Sequence, residues 1–393
     1  MKPAMGNGLV VHGGGPTAVL NASLAGVVDQ WRKTGLGKLY GALGGAAGLL
    51  EEKLADLGAA SDGLWRRIAE APGSVLGSSR RNLGAEDLAA MVGILRRRDI
   101  RSVFPTGGNG TMLMALALAE AAKAAAYDVR VVAIPKTIDN DLMGTDHSPG
   151  YASAARFFAA AVRDIGADNR ALPGVTVVEI LGRNCGWLAA ATVLARARPD
   201  DAPHLIYLPE RRLAFDRLAA DVERARRRFG RAVIAVCEGQ LDETGEPFGA
   251  ETRTTSREPL ALNLAHVLSQ RLSRALGIKA RSEKPGLLGR SCAALASRVD
   301  RREAALCGRA AVRAACDGAG ASMVTLERQP GAAYRCRTGL APLAQVAGGE
   351  RRLPPEWWPA EASDPLSEFR AWVEPLAGPI EALPLLAPGR DTY

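Results

Sequence analysis

The chain has 393 residues, 47% hydrophobic and 23% charged, with 50 Lys and Arg against 42 Asp and Glu, a balance of +8. That composition excludes a wholly disordered chain, a fibrous repeat and a disulfide-held miniprotein, and the length suits two or three packing units. No run approaches the ~18 uninterrupted apolar residues of a membrane span, and the start of the chain lacks the apolar core of a signal segment, so no membrane partner and a cytoplasmic location are expected.

The first element in chain order is a strand, Gly8 to His12, running into the glycine turn His12-Gly13-Gly14-Gly15-Pro16-Thr17. A helix is predicted from Asn21 to Trp31. A second glycine turn spans Pro72 to Arg80 (PGSVLGSSR). A short strand, Ser102 to Pro105, leads into a third turn, Thr106-Gly107-Gly108-Asn109-Gly110-Thr111, and an Ala-rich helix from Thr111 to Ala126. Glycine lets the backbone approach a ligand closely, and a helix starting just beyond such a turn leaves N–H groups free for phosphate oxygens. There is no G-x-x-x-x-G-K-[ST] loop, which excludes an ordinary P-loop NTPase, and the first turn lacks the G-x-G-x-x-G spacing of a dinucleotide site.

The next strand, Val129 to Ile134, ends in Pro135-Lys136-Thr137-Ile138-Asp139-Asn140-Asp141. Two carboxylates two residues apart at a strand end make poor core; one can accept a proton while the other holds a cation or sets its neighbour's pKa. An Asx-rich turn is the bland alternative, and for Lys136 a solvated turn lysine. Further strands are expected at Val175 to Ile180, His204 to Leu208 and Ala232 to Val236. The first of these leads into Leu181-Gly182-Arg183, the last into Glu238-Gly239, and Arg281 and Arg290 flank Pro285-Gly286. Arginine suits bidentate capture of phosphate. Strands alternating with helices in this way predict an α/β fold with parallel-rich sheets, whose ligands sit at the carboxyl edges of the strands.

The remaining features carry less. Arg224 to Arg231 is a basic run on a helical stretch, best read as a solvated face; with 5% aromatics and no zinc-finger pattern, no nucleic-acid partner is expected. The six Cys (185, 237, 292, 307, 316 and 336) form no CxxC pair and are expected as reduced thiols. A lobe boundary is placed near residue 150. The Pro- and Trp-rich tail from about 351 to 393 is expected to wrap the surface without adding a domain.

Taken together, GGGPTAVLNA, GSVLGSSR, PTGGNGT, PKTIDND, VEILGRNCGW, CEG and VDRREA, in this order from Leu9 to Arg328, resemble the phosphofructokinase family of the bacterial A type. The resemblance implies two Rossmann-like lobes with the active site in the cleft between them: one catalytic unit over 1–393, its donor lobe near 1–150 and a mainly sugar-phosphate lobe near 151–350, with the chain crossing back. It implies Asp139 as the base that takes the proton from the 1-hydroxyl of fructose 6-phosphate, with Thr137 and Asp141 positioning that hydroxyl and the cation. Gly14, Arg80, Gly108, Asn109, Gly110 and Thr111 would hold the phosphoryl donor. Leu181, Gly182, Arg183, Glu238, Arg281 and Arg290 would contact the sugar phosphate. One such arginine reaches into a neighbouring subunit in the family, which implies a homodimer or homotetramer. The cofactor implied is Mg²⁺, with Asn109 at the position of the family's usual metal-holding Asp, a neutral and weaker ligand. Leu287 stands where a phosphate-binding His is usual, and Gly174 where a second subunit-crossing Arg is.

The donor is pyrophosphate or ATP. Gly110 resembles the ATP-using members and leaves room for an α-phosphate; Lys136 resembles the pyrophosphate-using ones and adds a cation where a phosphate must be neutralised. The stretch continuing to TDHSPGYASAARF resembles the pyrophosphate-dependent branch, which is the reading favoured. An ATP-dependent 6-phosphofructokinase is the runner-up, and an inactive regulatory homologue the alternative of another class.

Overall fold

The structure is a computed structural model and describes residues 6–248, 263–331, 333–358 and 367–385; residues 1–5 of the N-terminal stretch, and 359–366 and 386–393 of the tail, lie outside it. Eleven strands are present among the described residues: β1 Asn7–His12, β2 Leu39–Ala42, β3 Leu54–Asp56, β4 Ile100–Gly107, β5 Arg130–Pro135, β6 Val175–Ile180, β7 Leu205–Tyr207, β8 Ala232–Cys237, β9 Ala280–Glu283, β10 Ser322–Arg328 and β11 Cys336–Pro342.

The chain divides into two compact units. The first holds the chain up to Phe157, then Gly286–Leu353 and Pro375–Ala377. Its seven-stranded sheet has the order β11-β10-β5-β4-β1-β2-β3. All neighbours are parallel except the two edge pairs, β2 with β3 and β10 with β11. The central strands read as continuous apolar runs because both faces are covered: Leu9, Val10, Val103, Phe104, Val131 and Ile134 are all fully buried. The helix Leu20–Arg32 presents Leu20, Leu24, Val27, Val28 and Trp31 at helical spacing, all buried. It lies against the helix Arg298–Cys316 so closely that a Cβ at Gly26 would run into the carbonyl of Ala305, and one at Gly308 into that of Ser23. Glycine at those two positions is what lets the backbones meet.

The second unit holds Phe158–Pro285, Pro354–Glu374 and the chain from Gly378 onward. Its four-stranded sheet, β7-β8-β6-β9, is wholly parallel. The basic run closes the helix Phe215–Phe229, with Arg226, Arg227 and Arg228 in the last turn and Gly230 as a left-handed cap. Cations are favourable at that end of a helix, where the carbonyls point outward. The tail departs from the expectation of a surface wrap. Trp357 meets Trp187 edge-on, with ring centroids 6.1 Å apart, and the helix Ser367–Ala377 inserts Phe369, which is fully buried. Trp187 itself has no exposed surface, so this unit's aromatic core is completed from the C-terminal stretch.

Candidate active site

In the first unit, β1, β4 and β5 are adjacent and parallel, so their carboxyl ends bring the first and third glycine turns and PKTIDND to one edge of the sheet. The second turn is stitched to the first. Gly14 N–H donates to the carbonyl of Ser79 (3.1 Å), and Ser78 Oγ donates to the carbonyl of Gly14 (2.7 Å). Asn21 holds the loop behind them, accepting from Val75 N–H (3.0 Å) and donating to the carbonyl of Ala71 (3.0 Å).

Lys136 is buried, at 3% exposure, which excludes the solvated turn lysine. Its ammonium donates to the carbonyls of Gly13 (3.0 Å) and Gly15 (2.6 Å), bracketing Gly14. Burial first, then the cations Arg290 and Arg80, pulls the Lys136 pKa down to about 8, against the opposing pull of Asp139 and Asp141. Arg80 and Arg290 converge on Gly15: a Cβ there would sit 2.5 Å from Arg290 Nη1 and 3.5 Å from Arg80 Nη2. With Gly14, Gly15, Pro16, Ser78, Ser79 and Leu287 these arginines line a cleft of about 410 Å³. Two guanidiniums, a serine-rich turn and a glycine backbone are a setting for a polyanion. A larger cleft, of about 560 Å³ at Trp31, Lys38 and Asp56, contains none of the site residues expected from the sequence.

The carboxylate turn is shaped by its own side chains. Asp139 N–H donates to Thr137 Oγ1 (3.0 Å), and Asn140 takes the left-handed conformation (φ 56°) with its Oδ1 accepting from Ser148 N–H (3.1 Å). Asparagine is among the few non-glycine residues that adopt this backbone readily. Asp141 Oδ2 accepts from Asn109 Nδ2 (2.9 Å). Asp141 Oδ1 and Asn109 Oδ1 are both enclosed with no hydrogen-bond partner among the described residues. Burial pushes the Asp141 carboxyl up, while bonds from its own amide, Thr137 and Asn109 oppose the rise. Asn109 opens the helix Asn109–Ala124, whose cap, Gly108, gives no side-chain hydrogen bond; Thr111 N–H turns back to the Gly108 carbonyl (2.8 Å), which leaves the N–H groups of Asn109 and Gly110 for a ligand. Gly110 has open space where a side chain would be, and a Cβ at Gly13 would run into Thr111 Oγ1. Gly14, Arg80, Gly108, Asn109, Gly110, Thr111, Lys136, Thr137, Asp139, Asp141 and Arg290 thus belong to one neighbourhood.

Several supporting residues were not legible in the sequence. His12, fully buried, has Nδ1 2.7 Å from Ser74 Oγ; because that hydroxyl donates to Gly77 O (2.6 Å), Nδ1 carries the proton. Burial, with Lys136 nearby, lowers the His12 pKa to about 3, so the ring is neutral. Asp300 caps the helix Tyr151–Ala171 from a distant stretch of chain, accepting from Gly150 N–H (2.9 Å), Ser153 N–H (2.9 Å) and Ser153 Oγ (2.5 Å). A buried carboxylate at a helix start satisfies otherwise orphaned donors. Asp300→Ala is expected to lower stability by roughly 3 kcal/mol, the cost of several buried donors left bare, and Asp300→Asn by less. Urea midpoints check this; three equal midpoints would remove the anchoring role.

In the second unit, Glu238 Oε1 accepts from Gly182 N–H (3.3 Å) and Arg183 N–H (3.2 Å), gathering Leu181, Gly182, Arg183 and Glu238 at the carboxyl ends of β6 and β8. Arg183 is itself left-handed (φ 51°). Burial foremost raises the Glu238 pKa, against those two backbone bonds. Arg281 does not join this group. It lies on β9 opposite Thr176, five residues before Leu181 and hence about 16 Å away along the strand, with Asp168 at 3.5 Å.

Residues 7–315 match the family described as Phosphofructokinase. The chain is 37% identical over 383 residues, 95% of this chain and 94% of the other, to a pyrophosphate--fructose 6-phosphate 1-phosphotransferase of Rhodospirillum rubrum. It is 31% identical over 375 residues, 95% of both chains, to a sulfofructose kinase of Alkalicoccus urumqiensis. Its fold is similar to the crystal structure of a pyrophosphate-dependent phosphofructokinase from Nitrosospira multiformis, with a TM-score of 0.88 at 29% identity, covering 99% of this chain and 95% of that one.

Proposed function

The chain belongs to the phosphofructokinase family, and from that premise we propose that it transfers a phosphoryl group from pyrophosphate to the 1-hydroxyl of fructose 6-phosphate, giving fructose 1,6-bisphosphate as a step of glycolysis in the cytoplasm. The observation that carries the donor choice is Lys136: a buried cation at the glycine turn, beside Arg80 and Arg290, supplies to a small inorganic donor the binding that a nucleoside would otherwise contribute.

Phosphofructokinases use a divalent metal ion. The bare oxygens of Asp141 and Asn109 fit one, because hard oxygen donors suit Mg²⁺. An ion bound there would neutralise phosphoryl oxygens of the donor. Asp139 takes the proton of the 1-hydroxyl as that oxygen forms its bond to phosphorus; the bridging P–O bond breaks and its electron pair leaves with orthophosphate. Thr137 and Asp141 orient the hydroxyl, and Lys136 and Arg80 hold charge that grows on the leaving oxygens; Arg290, expected from the sequence on the sugar phosphate, joins them instead because its guanidinium lies against Gly15 beside Arg80. Positioning and charge neutralisation supply most of the rate in such transfers. Leu181, Gly182, Arg183 and Glu238 contact the sugar. Arg281, held apart from them, would serve a neighbouring subunit in a homodimer or homotetramer.

The open space at Gly110 favours a second reading, in which ATP is the donor. Purified protein given fructose 6-phosphate or sulfofructose with pyrophosphate or ATP, assayed in both directions, separates the readings. The expected result is turnover of fructose 6-phosphate with pyrophosphate. Turnover with ATP alone would overturn the donor, turnover of sulfofructose alone the acceptor, and no turnover at all would favour the inactive homologue.

A further inference from the structure

Away from the donor cleft, the first unit gathers a second set of chemically active side chains. His147, six residues beyond Asp141, places Nε2 2.7 Å from Glu303 Oε2. Tyr334 donates to Glu303 Oε1 (2.7 Å), and its hydroxyl is 3.3 Å from His147 Nε2. Cys336, the first residue of β11, completes the set: His147 Nε2, a Glu303 carboxylate oxygen and Cys336 Sγ lie within 4.8 Å of one another. His147 and Glu303 are each 2% exposed, whereas Cys336 is half-buried.

We propose that His147, Glu303 and Cys336 form a binding site for a zinc-class divalent ion, distinct from the ion that assists phosphoryl transfer. The ligand chemistry points to that class. Imidazole, thiolate and carboxylate together are the donors of zinc sites, and they suit Mg²⁺ poorly. Three ligands from three separate stretches of chain leave a fourth position for water, or for the Tyr334 oxygen. The half-buried thiol on an edge strand supplies the entry path. Zinc ligands stand closer together than 4.8 Å, so Cys336, at the exposed side of the cluster, closes on the ion when it arrives. Binding displaces the Cys336 thiol proton and moves the His147 proton from Nε2 to Nδ1, exchanging the His147–Glu303 hydrogen bond for two bonds to metal. Arg302 has Nη2 3.9 Å from Glu303 Oε1, but its side chain is 65% exposed and swings clear. Burial, then Glu303, pushes the free Cys336 thiol up to about 12, so without metal it is a protonated and poorly reactive group.

The consequence is a clamp. Because His147 shares a short segment with Asp139 and Asp141, an ion here ties that segment to the helix Arg298–Cys316 and to β11. The test loads the metal-stripped full chain with Zn²⁺, followed by calorimetry, and with Co²⁺, followed by absorption. One equivalent of Co²⁺ should give a thiolate-to-cobalt charge-transfer band, which the oxygen-only set at Asp141 and Asn109 cannot produce. Cys336→Ser should abolish the band and weaken Zn²⁺ binding by more than the roughly 10–100-fold that losing a supporting partner costs. His147→Gln should weaken it similarly, and Cys292→Ser should leave both readouts unchanged. Absence of the band in the wild-type chain, or its survival in Cys336→Ser, overturns the site. Neither readout uses turnover, so the result is independent of the donor and acceptor.

Discussion

Asp139→Asn should lower kcat by roughly 10²–10⁴, the range for losing a general base, with little change in the KM for fructose 6-phosphate. The substitution is nearly isosteric, and the backbone bond that shapes the turn, Asp139 N–H to Thr137 Oγ1, does not involve the carboxylate. The urea midpoint should fall modestly, because the Asp139 carboxylate helps hold the buried Lys136 ammonium in its charged form, and the loss of rate should lie in the chemical step. Asp141→Asn should behave differently. It removes the anion beside Asn109 and should raise the concentration of divalent ion needed for half-maximal rate. If Asp139→Asn keeps rate within tenfold of wild type, the proton goes elsewhere, and Asp141 becomes the group to examine.

Lys136→Met should act on turnover and stability with opposite signs. For turnover, losing the cation that faces the glycine turn should cost roughly 10²–10³, comparable to removing one preorganised donor to a developing oxyanion. In the wild type, kcat/KM for pyrophosphate should fall above pH 8, where the free enzyme's Lys136 loses its proton. A bound anion holds that proton, so the limb in kcat should lie at higher pH; in Lys136→Met neither limb should remain. For stability, the folded pKa of about 8 lies below the ordinary 10.5, so between these values the unfolded chain binds more protons than the folded one. Stability from this group therefore rises with pH through that window. Below pH 8 the full cost of the buried charge applies, on the order of 3 kcal/mol. The wild type should thus gain on Lys136→Met in urea midpoint between pH 7 and pH 10. A constant gap would show that the ammonium is not strained by its burial.

The parts legible in advance were those governed by local chemistry. Apolar runs ending in glycine marked β1, β4, β6 and β8 as strands, one ending in PKTIDND marked β5, and the register placed their ends at the same edge of each sheet. The contents of PKTIDND were legible because Lys136, Asp139 and Asp141 are poor core residues in any fold. What escaped was set by distant partners. Neither Asp300 nor Glu303 has a local pattern that predicts burial; each is held by distant partners, Asp300 by Gly150 and Ser153, and Glu303 by His147 and Tyr334. The short strands β2 and β3 have only four and three residues, too few for a periodic signal. Phe369 and Trp357 read as tail because nothing nearby in sequence reveals that Trp187 awaits them. The separation of Arg281 from Arg183 was likewise invisible, since spacing along a chain does not reveal which end of a strand a side chain occupies.

The pairing of β5 with β10 has a consequence for biosynthesis. The strand that delivers Asp139 finds its outer neighbour only at Ser322, and that neighbour is shielded in turn only by Cys336–Pro342. While the ribosome is still translating the intervening residues, the nascent polypeptide carries β5 as an open edge, apolar from Val131 to Pro135, of the kind that recruits foreign strands. The helix Arg298–Cys316, which covers the same sheet, has not yet been made either. Assembly of the phosphate-handling half therefore waits until late in synthesis, and the cell's chaperones meet β5 without its neighbour.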